Sequence, residues 1–416
     1  MTLDAKPRFS SIISIIFSMS LAALGSGVIF SYVPFTLSKA GYDPWVAGTA
    51  VTAVAGGGLI GCLIAGPLIR RVGHARAFAC LSALVILSAL LVAIGVIPSA
   101  WIASRALYGL ASNGNFIVVQ SWLNHSAANE WRGRAMAMFY LSYVVSLGAG
   151  SFAFGFMPGG VENAPLLALG FYTLAILPIG LTVLPSPPPP QSVRIDLAAA
   201  WRISPVAFVG IFASGGLSML VQGFTPIYAA GEGLEREQIA TLMFLMQLGM
   251  IGVQYPLGAL SDRIDRRIVL VIACGIIAVS AVVGMMVPFT LFFLAVAVFA
   301  VWAGATETIY SISNAHANDK ADSGDYVALA STMLVGWSVS AFIMPGAVTA
   351  ATPFLGPKAY MGACIAIAIS FAVFALYRII ATRVSKPKEA EHFEIMTSQV
   401  PNAENLVAPE AGKEIR

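Results

Sequence analysis

Gly258-Ala259-Leu260-Ser261-Asp262-Arg263-Ile264-Asp265-Arg266-Arg267 joins two long apolar runs, at about 238–260 and 268–287. Two acids and three arginines packed between stretches long enough to cross hydrocarbon read as a tight, charged turn at a membrane surface. At 192 positions upstream stands Gly66-Pro67-Leu68-Ile69-Arg70-Arg71, also directly after an apolar run, with Gly73 close behind. A second pair of landmarks agrees: His125 and Gly133 follow the fourth run, and His316 and Gly324 follow the tenth, at an offset of 191. Two halves at a nearly constant offset indicate a duplicated unit of six spans.

Composition supports that reading along the whole chain. Of 416 residues, 58% are hydrophobic and only 10% are charged, with a mean hydropathy of +0.83. Soluble domains carry about 25% charge, so these apolar residues need lipid around them. Apolar runs fall at about 11–36, 43–69, 77–97, 100–123, 135–157 and 164–184, then at 205–229, 238–260, 268–287, 289–313, 327–351 and 356–380. Gly and Pro within them do not demote them, because membrane helices tolerate both. The first run follows Lys6 and Arg8 as a signal peptide would, but it is long and another span follows at once, so it is read as span 1. The expected fold is an all-α membrane protein of twelve transmembrane helices in two pseudo-symmetric six-helix bundles. The divisions are an N-terminus 1–10, a bundle 11–184, a linker 185–204, a bundle 205–380 and a disordered tail 381–416. Pro185 and Pro187 to Pro190 make the linker extended and semi-rigid.

Lys and Arg set the orientation. With the N-terminus inside, 19 of the 23 fall on cytoplasmic segments and three (Lys39, Arg236, Lys358) on the opposite face. The last, Arg105, lies within a span. Both termini are then cytoplasmic, as suits a bacterial inner-membrane protein. The net charge of +3 includes no basic patch able to hold a phosphate backbone, so nucleic acid is not an expected partner. Cys62, Cys80, Cys274 and Cys364 sit in apolar runs at no metal-ligand spacing and read as small apolar residues.

The stretch 258–267 resembles the loop signature of the major facilitator superfamily, Gly-x-Leu-(Ala/Ser)-Asp-Arg-x-Gly-Arg-(Arg/Lys). Seven of eight defined positions match, Gly258, Asp262, Arg263, Arg266 and Arg267 among them, with Asp265 in place of the usual Gly. The first copy keeps Gly66, Leu68, Arg71 and Gly73, but has Arg70 where Asp is usual. Arg105 with Gly109 resembles the Arg-x-x-x-Gly element of the superfamily's fourth span. Gln120-Ser121-Trp122-Leu123-Asn124 followed by Arg132-Gly133-Arg134-Ala135 is similar to a subgroup of poorly characterised bacterial permeases. The likeness extends over residues 10–380. It implies a monomer, a cavity lined by spans 1, 4, 7 and 10, and alternating access. In the loops, a carboxylate and arginines beside helix ends can latch two bundles and release them when they rock; topology alone is the plainer reading.

Only Arg105 and Glu307 place formal charge well within spans, and an intramembrane charge marks a functional site by default. On span 4, Ser112, Asn113 and Gln120 share a face with Arg105. Glu307 shares one with Tyr310, Ser311 and Asn314 on span 10. Span 7 presents Ser218, Gln222 and Thr225, and span 8 presents Gln247 and Gln254. Arg105, Asn113, Gln120, Gln222, Gln247, Glu307 and Tyr310 form the expected substrate or proton pathway. The repeat aligns Glu307 with Phe116, so Glu307 and Arg105 lie about 16 Å apart along the helix axes, too far to pair. Arg105 either meets an anionic group, a carbonyl or polar side chains in the outer half, or is a structural residue. Glu307 either carries a proton in the inner half or braces two helices.

The reading that follows is a secondary active transporter of a small organic solute. No Gly-x-x-x-x-Gly-Lys-(Ser/Thr) loop is present for ATP. No cofactor is expected, and a proton or other ion gradient supplies the energy. A drug or metabolite efflux antiporter is the alternative, although Gly148 to Gly155 lacks the proline that superfamily antiporters often carry there. A membrane-embedded enzyme would have to use His316, Asp319, Asp322 and Asp325. A non-transporting sensor would not need a polar stripe. His125 reads as a junction residue and the Met243, Met246 and Met250 group as adaptable packing, while Tyr140 and Tyr143 either pack in the core or touch substrate.

Overall fold

The computed structural model describes residues 9–127, 132–181, 195–321 and 326–382. The linker prolines, Asp322, Asp325, Gly324 and the segment beyond 382 lie outside them. Within the described residues the chain is helical, without strands. The first half consists of α1 (Phe9–Lys39), α2 (Pro44–Val72), α3 (His74–Ala93), α4 (Pro98–Ser126), α5 (Arg132–Phe156) and a sixth span divided into α6 (Ala164–Leu174) and α7 (Ile176–Gly180). A short α8 (Leu197–Ile203) leads to the second half: α9 (Pro205–Gly231), α10 (Arg236–Ser261), α11 (Arg266–Met286), α12 (Phe292–Asn318), α13 (Tyr326–Leu355) and α14 (Ala359–Ala381). All twelve expected spans are present. Most extend beyond their apolar runs because flanking Ser, Asn and Arg residues continue the helix into the headgroup zone. The polar stretch after the prolines is not extended throughout: Asp196 accepts a bond from Ala199 N at 2.8 Å and caps α8.

Among the described residues, eleven of the twelve spans, with α6 and α7 taken as one, are long and apolar enough to cross a membrane. The exception is α4, whose 29 residues suffice in length but include Arg105, Asn113, Asn115, Gln120 and Asn124. Eighteen of them are buried, so α4 is an interior helix shielded from lipid. Large apolar side chains cover the outer surface instead: Phe293 is 80% exposed and Ile380 85%, as only a bilayer would favour.

Helices that gain nothing from burying leucine in lipid associate through close backbone contact at small residues. A Cβ on Gly57 would strike the Ala106 carbonyl, and one on Gly109 the Val54 carbonyl, so α2 and α4 touch backbone to backbone. The second half repeats the device between α10 and α12, where Gly249 meets the Ala300 carbonyl and Gly304 the Gly249 carbonyl. Between α1 and α5 the same role falls to Gly27 and Gly150, and between α9 and α13 to Gly215. The two bundles then meet along α5 with α10 and α2 with α13.

Gly109→Ala is expected to reduce yield of folded protein severely, and to lower the melting temperature of what survives by about 5 °C or more. Gly170→Ala, where an added Cβ meets nothing within 4 Å, is expected to melt at or slightly above the parent. Paired thermal melts of the two proteins in detergent check this.

Candidate functional site

Where the bundles meet, near the midpoints of their helices, they enclose a cavity of about 110 Å³. Ser112 and Asn113 of α4 and Ser151 of α5 edge it on one side, and Ser218 and Gln222 of α9 and Gln247 of α10 on the other. The rest is apolar or aromatic, with Phe30, Phe116, Tyr143, Met243 and Trp337. Gln247 Nε2 donates to Gln222 Oε1 at 3.1 Å, and Gln222 Nε2 lies 3.1 Å from Met250 Sδ. Three of the expected pathway residues, Asn113, Gln222 and Gln247, therefore line one space.

Glu307 stands just behind that wall. It is 1% exposed, and its Oε1 accepts from the cavity-lining Ser218 Oγ at 2.8 Å. Gln254 Nε2 donates to the Glu307 backbone carbonyl at 3.3 Å and also to Ser311 Oγ, so α9 meets Glu307 through its carboxyl and α10 through its main chain. Tyr310 and Asn314 line a separate, smaller pocket toward the end of α12 nearest the linker; Trp337 borders both spaces. Gln120 lies apart from the cavity lining, fully buried, and donates to Tyr140 Oη at 3.4 Å.

Arg105 is 3% exposed, with its Cζ 4.8 Å from the centroid of the Tyr108 ring. Among the described residues, none of its three guanidinium nitrogens has a hydrogen-bond partner. Tyr108 itself lines the cavity, and its hydroxyl donates to Ser26 Oγ at 2.7 Å; Tyr172 donates to the same oxygen at 3.2 Å. Tyr108 could have been found in the sequence as the i+3 neighbour of Arg105. Ser26, Tyr172 and Trp337 come from other helices, and no local pattern announces them.

Hydrogen-bonded residue pairs join the bundles. Ser38 Oγ donates to the Ala230 carbonyl at 3.0 Å, and Lys39 Nζ lies 3.2 Å from Glu235 Oε1. The hydroxyls of Thr52 and Thr349 stand 3.4 Å apart, and Cys62 Sγ lies 3.8 Å from Ser338 Oγ. The first three sit on the side of the cavity away from the linker and close it there.

The loop residues at the linker face bond largely inside their own half. Arg266, buried, holds Asp319 at 2.7 Å through Nε and approaches Asp262 at 3.6 Å. Arg267 bonds Asp265 at 2.7 Å, the Arg378 carbonyl at 3.2 Å and Thr382 Oγ1 at 2.7 Å. The loop thereby staples the ends of α12 and α14 together. Arg70, Arg71 and Arg263 are exposed, and Gly66 and Gly258 lie at or near the ends of α2 and α10. Asp319, an expected ligand in the enzyme alternative, is committed to Arg266, and no metal-binding group of three His, Cys, Asp or Glu occurs among the described residues.

Asp265 also explains the departure from the family signature. Gly73 joins α2 to α3 with φ 79° and ψ 168°, a conformation open essentially to glycine alone. Asp265 has φ −56°, so no glycine is required, and its carboxylate accepts from Arg267 N at 2.9 Å as the cap of α11. Burial pushes the Asp265 carboxyl up, but the bonds and charge of Arg267 outweigh it and hold the group below the usual aspartate range. A depressed native value contributes stability above the unfolded pKa of about 4, lost as pH falls through the native one. Asp265→Asn is therefore expected to lower the melting temperature at neutral pH by about 2–4 °C and to flatten the decline toward acid. Melts between neutral and acid pH check this.

Comparison with known proteins places this architecture. The family model described as Major Facilitator Superfamily matches residues 15–345 and 206–409. The MFS-type transporter YcaD of Salmonella arizonae, itself uncharacterized, is 26% identical over 330 residues, covering 78% of this chain and 84% of its own. The crystal structure of a point mutant of the nucleoside transporter NupG aligns at a TM-score of 0.67 and 12% identity, over 90% of this chain and 99% of that one. The human organic anion transporter MFSD10 (TETRAN) aligns at 0.62 and 15% identity, over 88% and 99%. With its two six-helix bundles and the cavity between them, this chain belongs to the Major Facilitator Superfamily and is an integral membrane transporter.

Proposed function

We propose that the protein is a secondary active transporter that carries a small organic solute by alternating access, driven by protons, with Glu307 as the proton-carrying group. The observation that supports this most is the placement of Glu307 one hydrogen bond behind Ser218, in the wall of a cavity to which both bundles contribute. A solute in that cavity competes for Ser218, and so alters how well the carboxyl behind it is held. Coupling needs no more than this shared partner. The closed contacts at Ser38, Lys39 and Thr52 fit a state sealed away from the linker. In this reading the linker face is cytoplasmic and the membrane is a bacterial inner membrane, in keeping with the bias of Lys and Arg and with relatives from Salmonella. By their names the two solved neighbours carry nucleosides and organic anions, so the shared fold serves more than one solute chemistry.

Proteoliposomes loaded with a pH-sensitive dye, and challenged with sugars, amino acids, nucleosides, organic acids and cationic drugs, test the coupling. A solute that moves protons in the parent is expected to move none in Glu307→Gln, while solute-for-solute exchange persists. Undiminished proton movement in Glu307→Gln would sink the assignment. Alternating access has its own test. Ser38→Cys with Ala230→Cys, in a Cys80→Ser background, is expected to stop transport when joined by a short thiol cross-linker whose spacer is reducible, and to recover on reduction.

A further inference from the structure

The uncompensated charge on the other bundle is the least explained feature of the molecule. Four acids occur before the linker, and neither of the two among the described residues is in a position to neutralise Arg105. Asp43 and Glu162 are exposed at helix boundaries away from the linker, and Asp4 and Glu130 belong to segments outside the described residues, before α1 and between α4 and α5. The hydroxyls of Tyr108 and Tyr172 are engaged elsewhere: both direct their protons to Ser26, which donates to the Ala22 carbonyl at 2.9 Å. The guanidinium keeps its charge and five N–H donors; among the described residues it packs on the π-face of Tyr108 and makes no hydrogen bond.

We infer that Arg105 is the anchor for an anionic group, and that the transported solute is an organic anion with an apolar body. Tyr108 connects the two parts of the site, since it lines the central cavity and also bears the guanidinium over its ring. Side chains on a helix lean toward its N-terminus, so the Tyr108 ring reaches back alongside Arg105 and screens it from the cavity. A rotation of that ring brings the forked donors within reach of a carboxylate or phosphate whose apolar portion rests against Phe30, Phe116 and Tyr143. Phe30 meets the Tyr108 ring edge-on at 5.6 Å, so a bound aromatic body and the ring position are mechanically linked. Transport of the anion rests on the reading above; its binding does not.

Melting of the purified full-length protein separates these statements. The probes are benzoate, phenyl phosphate, benzamide and benzylamine at equal millimolar concentration, with Arg105→Met and Tyr108→Ala beside the parent. Benzoate or phenyl phosphate is expected to raise the parent's melting temperature by about 3 °C, whichever is stronger naming the acid class, and the amide and amine to leave it unchanged. Arg105→Met, relieved of an unpaired buried charge, is expected to melt higher than the parent without ligand and to lose the anion response. Tyr108→Ala is expected to keep or strengthen that response. A melt that shifts equally with benzoate and benzamide, or with neither, overturns the inference. So does an Arg105→Met protein that melts well below the parent, which would make the arginine a structural brace. An anion shift without anion flux in proteoliposomes would leave the binding site standing and remove the transport reading. Flux of an uncharged solute that survives in Arg105→Met would do the reverse.

Discussion

In hydrocarbon, a leucine gains nothing by leaving its surroundings for a helix interface, so close approach of backbones must hold the bundle together. Four pairings in this molecule obey that constraint directly. Gly57 and Gly109 lock α2 against α4, Gly27 and Gly150 lock α1 against α5, and Gly249, Gly304 and Gly215 do the same in the second half. Because the device is duplicated, each half has its own backbone-to-backbone contacts. Contact between halves is lighter and rests on hydroxyls, one exposed ion pair and aromatic edges. An exposed pair such as Lys39 with Glu235 contributes at most about 1 kcal/mol.

Rigidity within a half is reinforced at the linker face. Arg266 and Arg267 reach from the start of α11 to the ends of α12 and α14, and their pairs with Asp319 and Asp265 are almost wholly buried. Breaking a buried pair leaves a charge without compensation, at a cost of about 3–5 kcal/mol. These contacts therefore behave as fixed staples in the state seen here. The first half has no equivalent ion pair among the described residues; at the matching position His74 meets Ser121 at 3.0 Å, a bond between α3 and α4. The loops thus join consecutive helices in both halves by different chemistry, while Arg70 and Arg71 stay exposed to solvent or headgroups.

The fold was legible because its two signals are redundant: twelve apolar runs and a repeat at a nearly constant offset. The loop signature needed few residues for the same reason. The site was legible only in part. Asn113, Gln222 and Gln247 could be read because polar residues on an apolar helix must face a polar space, and the cavity between bundles is one. Gln120 and Tyr310 satisfy the same helical arithmetic, yet they sit lower on their helices, where packing between neighbours in one bundle uses them instead. Periodicity fixes a face of a helix but leaves open which neighbour covers that face. Tyr172 and Trp337 show the limit from the other side, since their relevance arises from tertiary contact alone.

The two halves share a scaffold but differ in charge. The repeat puts Phe116 opposite Glu307 and Val296 opposite Arg105, so neither charge has a counterpart of its own kind. Even on the lowest scales a charge in the hydrocarbon costs about 3 kcal/mol, against a stability of about 5–15 kcal/mol for a typical domain. A duplicated fold has no structural need for such a cost, because the same backbone contacts form without it in the other half. Glu307 is held by Ser218 and backed by Gln254; Arg105 has an aromatic face and no acceptor among the described residues. Symmetry thus accounts for the framework, and the two buried charges are the departures from it. One is a carboxyl beside the cavity, bonded to Ser218, and the other a guanidinium packed on an aromatic ring with no acceptor among the described residues.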